Sequence, residues 1–166
     1  MYMKILVFGL PGSGKTWLSE RLRKHLNNCA WYNADIIRKC ADDWDFSLEG
    51  RFRQSNRMKS FADFEKKNGR WVICDFIAPT EETRKAFDAD YTIWLDTIKE
   101  GRVVNTKLDE LKKIKNLPFK ADSLLDSKEF KDTNDWFEIP NKIDKRITNF
   151  MNDEEIKKLA LEIQNV

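Results

Sequence analysis

The stretch Lys4–Leu22 reads KILVFGLPGSGKTWLSERL and sets a glycine-rich loop between an apolar run and an amphipathic run. Its centre, Gly9–Thr16, matches the phosphate-binding pattern GxxxxGK[ST]. The match follows a predicted strand at residues 3–8 and opens a predicted helix at residues 16–26, which is the structural context that the pattern requires. The sequence therefore predicts a nucleoside triphosphate site.

Each part of this loop has a chemical role. Glycines allow backbone amides to converge on phosphate oxygens, and the start of the following helix adds partial positive charge. Lys15 is expected to reach the β and γ phosphates, and the Thr16 hydroxyl is expected to hold Mg²⁺. ATP and Mg²⁺ are thus the predicted cofactors. The predicted phosphate-binding residues are Gly9, Gly12, Ser13, Gly14, Lys15 and Thr16.

The composition is that of one globular domain. The 166 residues are 41% hydrophobic and 35% charged, and we expect a single domain over 1–166. No apolar run is long enough to cross a bilayer, so we expect a cytoplasmic protein with no membrane partner. The three cysteines form no CxxC pair, which disfavours a zinc site, and a net charge of +2 does not call for nucleic acid.

Predicted strands alternate with predicted helices along the chain, which indicates an α/β fold. We expect a P-loop NTPase of the nucleoside-monophosphate-kinase-like type, with a central parallel sheet of about five strands flanked by helices. After the first strand, the expected strands cover residues 30–33, 71–76, 91–95 and 144–150. After the first helix, the expected helices cover residues 48–67, 80–87 and 152–164. Residues 108–114 suggest a basic amphipathic helix, and a lid or an inserted segment is a possibility at about residues 102–135. A solvated helix face is the favoured alternative for the charged run 107–120.

The predicted helix 48–67 carries two sets of residues. The apolar set is expected to face the sheet and comprises Leu48, Phe52, Phe61 and Phe64. Arg51, Gln54 and Arg57 recur at a spacing of three, so they share a face that could clamp an anion. The alternative for this second set is a solvated basic face.

A second nucleotide motif is disfavoured by its context. Residues 141–144 read NKID and match NKxD, the guanine-binding motif of GTP switches. The motif should follow a buried apolar strand, but residues 134–140 do not have that character, and the chain contains no DxxG. The small size also disfavours a motor. A small-molecule kinase is the class that fits best.

Two aspartates lie where predicted strands end. Ligands of such folds gather at the carboxyl ends of the strands, and a kinase needs a group there to orient or deprotonate the acceptor hydroxyl. Asp35 is the predicted catalytic base, and Asp75 is a candidate to support bound Mg²⁺ from behind its direct ligands. The alternative for each is an aspartate that caps a helix or stabilises a turn.

Beyond the loop, the sequence resembles the adenylylsulfate kinase family. Residues 33–38, NADIIR, are similar to the family's DGDNxR, and residues 45–51, DFSLEGR, are similar to its GFS and the arginine-bearing helix that follows. Ile77–Pro79 is similar to the family's ISP turn. Asp96 and Thr97 are similar to its DT, and residues 137–140, FEIP, are similar to its YEAP.

The resemblance implies transfer of the γ phosphate of MgATP to the ribose 3′-hydroxyl of adenosine 5′-phosphosulfate. Asp35 would be the magnesium-associated base, and Phe46 would stack on the adenine of the acceptor. The expected substrate-binding residues are Arg38, Phe46, Arg51, Gln54, Arg57, Ile77 and Pro79. Arg102 is a candidate nucleotide-binding lid arginine on its position alone.

The chain also departs from the family pattern. Asn33, Ala34 and Ile36 differ from DGDN, Ala78 replaces a serine, and Gln54 replaces an asparagine. These departures leave open another hydroxyl acceptor: a nucleoside, a nucleotide or, less favoured, a polynucleotide end. A non-catalytic nucleotide-binding module is a further, weaker alternative. The expected partner is a small-molecule nucleotide, and an oligomer such as a dimer stays open.

Overall fold

The computed structural model describes residues 1–98 and 133–166. The strands are β1 Lys4–Gly9, β2 Cys29–Asn33, β3 Trp71–Phe76, β4 Tyr91–Leu95 and β5 Lys145–Ile147. The helices are α1 Lys15–Arg23, α2 Ala34–Ala41, α3 Leu48–Lys67, α4 Glu81–Phe87, α5 Thr133–Trp136 and α6 Asp153–Gln164. None of these described helices is long and apolar enough to span a membrane.

The five strands form one sheet in the order β2-β3-β1-β4-β5, and every neighbouring pair is parallel. The expected α/β fold with a central parallel sheet is therefore confirmed. All six residues of β1 and all six of β3 are buried, as expected for central strands covered on both faces. The short helix α2 was not predicted, and Asn33 caps its first turn.

Successive side chains of β1 enter two separate cores, because neighbouring residues of a strand point to opposite faces of the sheet. Ile5 and Val7 lie in a core completed by α1 and α6. Leu6 and Phe8 lie in a second core completed by α2, α3 and α4. The sheet is thus covered on both faces by helices.

The prediction for the apolar face of α3 was wrong. The apolar residues are largely exposed: Leu48 56%, Phe52 39%, Phe61 38% and Phe64 63%. The buried face instead includes Arg51, Gln54, Ser55 and Met58. The first half of this face borders a polar cavity rather than an apolar core, so hydrophobicity misidentified which side is turned inward.

The strand register brings chemically important residues to one edge of the sheet. Asp75 of β3 is the register partner of Val7 in β1 and of Asn33 in β2. Because these strands are parallel, their carboxyl ends meet at the edge where the glycine-rich loop leaves β1. This edge therefore carries the candidate site.

We expect the core packing of α6 to dominate its contribution to stability. Leu159 is 1% exposed, whereas Leu161, two residues later, is 52% exposed. Leu159→Ala should lower the free energy of unfolding by about 2–5 kcal/mol through lost burial and a residual cavity. Leu161→Ala is the matched control and should cost less than about 1 kcal/mol in the same urea titration. Equal losses in the two variants would contradict this packing.

Candidate active site

The loop at Gly9–Thr16 connects β1 to α1 and is shaped by glycines that no other residue could replace without movement. Gly14 has a φ of +97°, and a Cβ there would lie 2.8 Å from Cε1 of Phe150. A Cβ on Gly9 would lie 2.6 Å from the carbonyl oxygen of Leu95. The loop is therefore held against neighbouring backbone and ring atoms while its amides stay close to the start of α1.

Lys15 folds back over this loop. Its Nζ donates hydrogen bonds to the carbonyl oxygens of Gly9 at 3.0 Å and Leu10 at 2.9 Å. The hydroxyl of Thr97, just beyond β4, donates to the carbonyl of Ser13 at 2.8 Å and ties the loop to the next strand. The Ser13 side chain itself is buried, and its Oγ has no hydrogen-bond partner among the described residues. An ammonium group is thus held beside the loop amides.

One cavity of about 280 Å³ extends from this loop across the edge of the sheet. From the loop side, its lining includes Gly12, Gly14, Lys15 and Thr16. From the opposite side, its lining includes Asp35, Arg38, Phe46, Arg51, Gln54, Asp75, Ile77 and Pro79. Most of the predicted nucleotide, metal and acceptor residues therefore border one space. Gly9, Ser13 and Arg57 do not line it.

Asp75 is the buried carboxylate of this cavity, with 1% of its surface exposed. Its oxygens accept hydrogen bonds from Trp31 Nε1 at 3.0 Å and from Asn33 Nδ2 at 2.7 Å. Burial raises the pKa of Asp75 to about 6, although both hydrogen bonds and the charge of Lys15 favour the ionised form.

Asn33 joins this carboxylate to the loop. Its Nδ2 also donates to Thr16 Oγ1 at 3.1 Å, and its Oδ1 accepts from the backbone amides of Asp35 and Ile36. The departure at position 33 thus places an amide, rather than a second carboxylate, against Asp75. Asp35 lies in the first turn of α2, half-buried in the cavity lining.

Arg38 is buried in the wall of the cavity. Its guanidinium donates to the carbonyl oxygens of Asp43 and Asp45, both at 3.0 Å, and lies 4.6 Å from the ring centre of Phe46. Burial lowers the pKa of Arg38 to about 10, and the charge of Asp43 opposes this shift. At neutral pH the guanidinium therefore keeps its positive charge.

Arg51 packs between two aromatic rings, 5.9 Å from the centre of Phe46 and 5.4 Å from that of Trp136. Its Nε donates to the Phe46 carbonyl at 2.9 Å, and its Nη2 donates to Thr133 Oγ1 at 2.8 Å. Phe46 therefore lies against Arg38 and Arg51 in this structure. Two positive charges and one aromatic ring thus form one side of the cavity.

Gln54 and Arg57 act together beneath this surface. Gln54 Nε2 donates to the Ala34 carbonyl at 3.1 Å, and its Oε1 accepts from Arg57. Arg57 also donates to Asp43 at 2.7 Å. The structure thus places Arg57 behind the cavity, where it supports Gln54 and the segment that holds Arg38, rather than in the cavity lining.

The turn Ile77–Pro79 closes the cavity at the end of β3. Arg84, which is 8% exposed, donates to the carbonyl oxygens of Ala78 at 2.9 Å and Pro79 at 3.0 Å. The Glu138 amide donates to the Pro79 carbonyl at 2.7 Å, so residues 137–140 dock on this turn. Ala78 has a φ of +42°, a left-handed conformation that is rare for a residue with a Cβ and that the surrounding contacts maintain.

Sequence reasoning missed two groups at this site. Ser55 lines the cavity next to Gln54, and its buried Oγ has no hydrogen-bond partner among the described residues. Arg84 orients the turn from α4. Ser55 lies in no recognisable motif, and Arg84 is one of several charged residues in α4. Only the three-dimensional contacts identify either residue.

Two further predictions from the sequence lie outside the described residues or outside this cavity. Arg102 and nearly all of the predicted lid at 102–135 lie outside the described residues, which resume at Thr133. Asp144 of the NKxD match accepts hydrogen bonds from the backbone and hydroxyl of Thr92, both at 2.8 Å, and thus ties two strands together.

The phosphate loop on a five-stranded parallel sheet, bordering one cavity with a carboxylate-bearing edge, defines a P-loop kinase. A profile of the adenylylsulphate kinase family matches residues 2–122. The chain therefore belongs to the adenylylsulphate kinase family.

The chain is also similar to one curated protein and, in fold, to solved kinases. A probable adenylyl-sulfate kinase of Aeropyrum pernix is 33% identical over 85 residues, and the match covers 46% of this chain and 44% of that protein. The match thus spans less than half the length of this curated relative. The Mycobacterium tuberculosis APS kinase in complex with AMPPNP and APS superposes with a TM-score of 0.68 at 19% identity, covering 99% of this chain and 98% of that one. Shikimate kinase of Aquifex aeolicus gives a TM-score of 0.56 at 18% identity, covering 98% and 97%.

The raised pKa of Asp75 predicts a stability change with pH. Its pKa of about 6 exceeds the ordinary 3.8, so the native state binds this proton more tightly than the unfolded state. Protonated Asp75 therefore adds to the free energy of unfolding below about pH 4. This contribution is lost as the pH rises through about 6. Asp75→Asn removes this loss, so the stability of the variant relative to the wild type should rise between pH 4 and pH 7, by up to about 3 kcal/mol.

Urea unfolding of both proteins in EDTA at each pH measures this difference. Other titrating groups are shared and cancel. A difference that does not change with pH would contradict a raised pKa at Asp75.

Proposed function

We propose that the protein transfers the γ phosphate of MgATP to the 3′-hydroxyl of adenosine 5′-phosphosulfate, forming 3′-phosphoadenosine 5′-phosphosulfate. The observation that carries the proposal is the single cavity that joins the phosphate loop, Asp35 and two buried arginines. Phosphoryl transfer requires donor and acceptor to meet in line, and one continuous cavity allows this.

The names of two similar proteins support this acceptor. The Aeropyrum pernix protein is named a probable adenylyl-sulfate kinase, and the Mycobacterium tuberculosis structure contains AMPPNP and APS. For this chain, AMPPNP supports ATP as the donor and APS supports a nucleotide acceptor. The Thiobacillus denitrificans APS kinase is described as hexameric, so self-association of this chain is part of the proposal.

The acceptor side suits a small anionic nucleotide. Arg38 and Arg51 are 4% and 6% exposed, and guanidinium groups bind phosphate and sulfate oxygens through paired hydrogen bonds. Phe46 lies beside both and offers an aromatic surface for the adenine ring. Gln54, held by Arg57, and the turn Ile77–Pro79 would complete the substrate contacts.

The residues present also fit Mg²⁺. Thr16, Asp35 and Asp75 bring one hydroxyl and two carboxylates to the same cavity, and Mg²⁺ prefers oxygen ligands. Among the residues that the structure describes, no cluster of three acidic, histidine or cysteine side chains could hold a metal alone. Mg²⁺ is commonly bound by one or two carboxylates together with substrate phosphates, and Asp35 and Asp75 would supply the carboxylates here. When bound, Mg²⁺ would neutralise charge on the transferring phosphate.

Lys15, the loop amides and Asp35 would each have a separate role in the phosphoryl transfer. Lys15 would exchange its bonds to the Gly9 and Leu10 carbonyls for phosphate oxygens and stabilise their charge. The loop amides would hold the β and γ phosphates. Asp35 would orient the acceptor hydroxyl and take its proton as the new O–P bond forms and the bond to the β-phosphate oxygen breaks.

The acceptor is tested by incubating the protein with γ-labelled ATP and Mg²⁺ beside candidate acceptors. The panel contains adenosine 5′-phosphosulfate, adenosine, shikimate and a 5′-hydroxyl oligonucleotide. We expect label on the phosphosulfate alone, since of the four it is the only mononucleotide with a terminal anionic group for Arg38 and Arg51. Label on another acceptor but not on the phosphosulfate would overturn the proposed substrate, and label on none would favour a non-catalytic module.

Substitutions at Asp35 and Arg51 should separate chemistry from acceptor binding. Asp35→Asn keeps the shape of the side chain but cannot take a proton, and it should lower kcat by about 10²–10⁴-fold with little change in the acceptor KM. Arg51→Ala should chiefly raise the acceptor KM, by about tenfold or more, because it removes a charge that binds the anion. Steady-state kinetics with each substrate varied measures both. Near-normal kcat for Asp35→Asn would remove this residue from the chemistry.

A further inference from the structure

The side-chain amide of Asn33 uses its whole hydrogen-bonding capacity at the meeting point of three functional groups. Its oxygen accepts from the backbone amides of Asp35 and Ile36, each at 3.1 Å. Its nitrogen donates to Thr16 Oγ1 at 3.1 Å and to Asp75 Oδ1 at 2.7 Å. An amide has two donors and two acceptor sites, so all four are occupied.

The orientation of this amide follows from its partners. Backbone N–H groups can only donate, so the oxygen must face the start of α2. The nitrogen must then face Asp75 and Thr16, and the ionised carboxylate accepts from it. Turning the amide over would lose both backbone bonds and would set its oxygen against the Asp75 carboxylate. Asn33 therefore has one conformation that satisfies its surroundings.

We propose that Asn33 is a positioning residue that couples the Mg²⁺-binding groups of the phosphate loop to the helix carrying the catalytic base. Through its nitrogen it sets the Thr16 hydroxyl and the Asp75 carboxylate, and through its oxygen it sets the first turn of α2, where Asp35 lies. This inference rests on the proposed function in one respect, namely that the protein uses MgATP.

The charge at this point explains why an amide serves better than a carboxylate. A carboxylate at position 33 could still accept from the start of α2, but it would lie about as close to Asp75 as the present 2.7 Å contact. Two negative charges at that distance in a buried site repel strongly, and one of them would be driven to bind a proton. The amide keeps a single charge beside Thr16. It also occupies only one lone pair of the hydroxyl, which leaves the other for a cation.

Asn33 and Asp75 are direct register partners on β2 and β3. Together they present one amide and one carboxylate to the cavity. Exchanging the two residues keeps the net charge, the hydrogen bond between them and an acceptor for the cap of α2, since aspartate is also a good helix cap. If losing Asn33 acts by removing these bonds, the exchange should reverse the effect. It would not reverse a simple loss of packing.

The test compares the wild type with Asn33→Ser and with the double variant Asn33→Asp, Asp75→Asn. Serine keeps the helix cap, but its side chain is too short to reach both Thr16 and Asp75. Calorimetry with AMPPNP, with and without Mg²⁺, gives the factor by which Mg²⁺ tightens binding. We expect Asn33→Ser to reduce this factor by about tenfold or more, as when a residue that orients metal ligands is lost. The exchanged variant should recover it to within about threefold of the wild type.

Thermal unfolding without ligand is the structural control. The Asn33→Ser variant should melt within about 2–4 °C of the wild type, since capping is retained. An unchanged Mg²⁺ factor in Asn33→Ser would overturn the inference. An exchanged variant that recovers nothing relative to Asn33→Ser would also overturn it.

The readout does not involve an acceptor, so it separates this inference from the choice of substrate. If the phosphosulfate fails as acceptor while the Mg²⁺ factor responds as expected, the proposed substrate is wrong and the role of Asn33 stands. If Mg²⁺ does not tighten AMPPNP binding to the wild type, the use of MgATP fails and this inference fails with it.

Discussion

The carboxylate of Asp75 is buried at the carboxyl edge of the sheet, and the arrangement of the site depends on how that charge is accommodated. Burying a carboxylate is costly unless it is hydrogen-bonded, and two neutral donors, Trp31 Nε1 and Asn33 Nδ2, meet its oxygens. Both donors come from the neighbouring strand β2. The parallel register of β2 and β3 is therefore what allows a negative charge to remain next to the phosphate loop, where a cation and a triphosphate can use it.

The side of the cavity that carries the two arginines is built on a different principle. Arg38 and Arg51 are charged and buried, and backbone carbonyls, a hydroxyl and aromatic rings hold them in fixed directions. Guanidinium groups fixed in this way lose little freedom when an anion binds. Asp43, whose pKa Arg53 and Arg57 hold well below its usual range, anchors the segment behind them. A positive surface for an anion thus faces a negative edge for a cation across one cavity.

The sequence was sufficient for the fold, because Gly9–Thr16 requires a strand before it and a helix after it. It also placed Asp35, Arg51 and Gln54 in the cavity lining by their spacing and by their likeness to family motifs. The contact between Asn33 and Asp75 was out of reach, because strand register depends on pairing between distant segments.

Hydrophobicity misled the interpretation of α3. Its aromatic residues face outward, and its polar residues Arg51, Gln54 and Ser55 line the cavity. Helix α2 is only eight residues long, and its start depends on the Asn33 cap, which the motif comparison had treated only as a departure. In both places, the residues that serve the site run against the rules that identify ordinary packing.

We propose that one cavity holds the triphosphate and the nucleotide acceptor together, with Asp35 at the hydroxyl to be phosphorylated. A crystal structure of the protein with AMPPNP, Mg²⁺ and adenosine 5′-phosphosulfate tests this most directly. We expect the triphosphate against the Gly9–Thr16 amides, the acceptor between Arg38 and Arg51, and the Asp35 carboxylate about 2.6–3.2 Å from the ribose 3′-hydroxyl. An acceptor bound away from Arg38 and Arg51, or an Asp35 turned away from the hydroxyl, would contradict it.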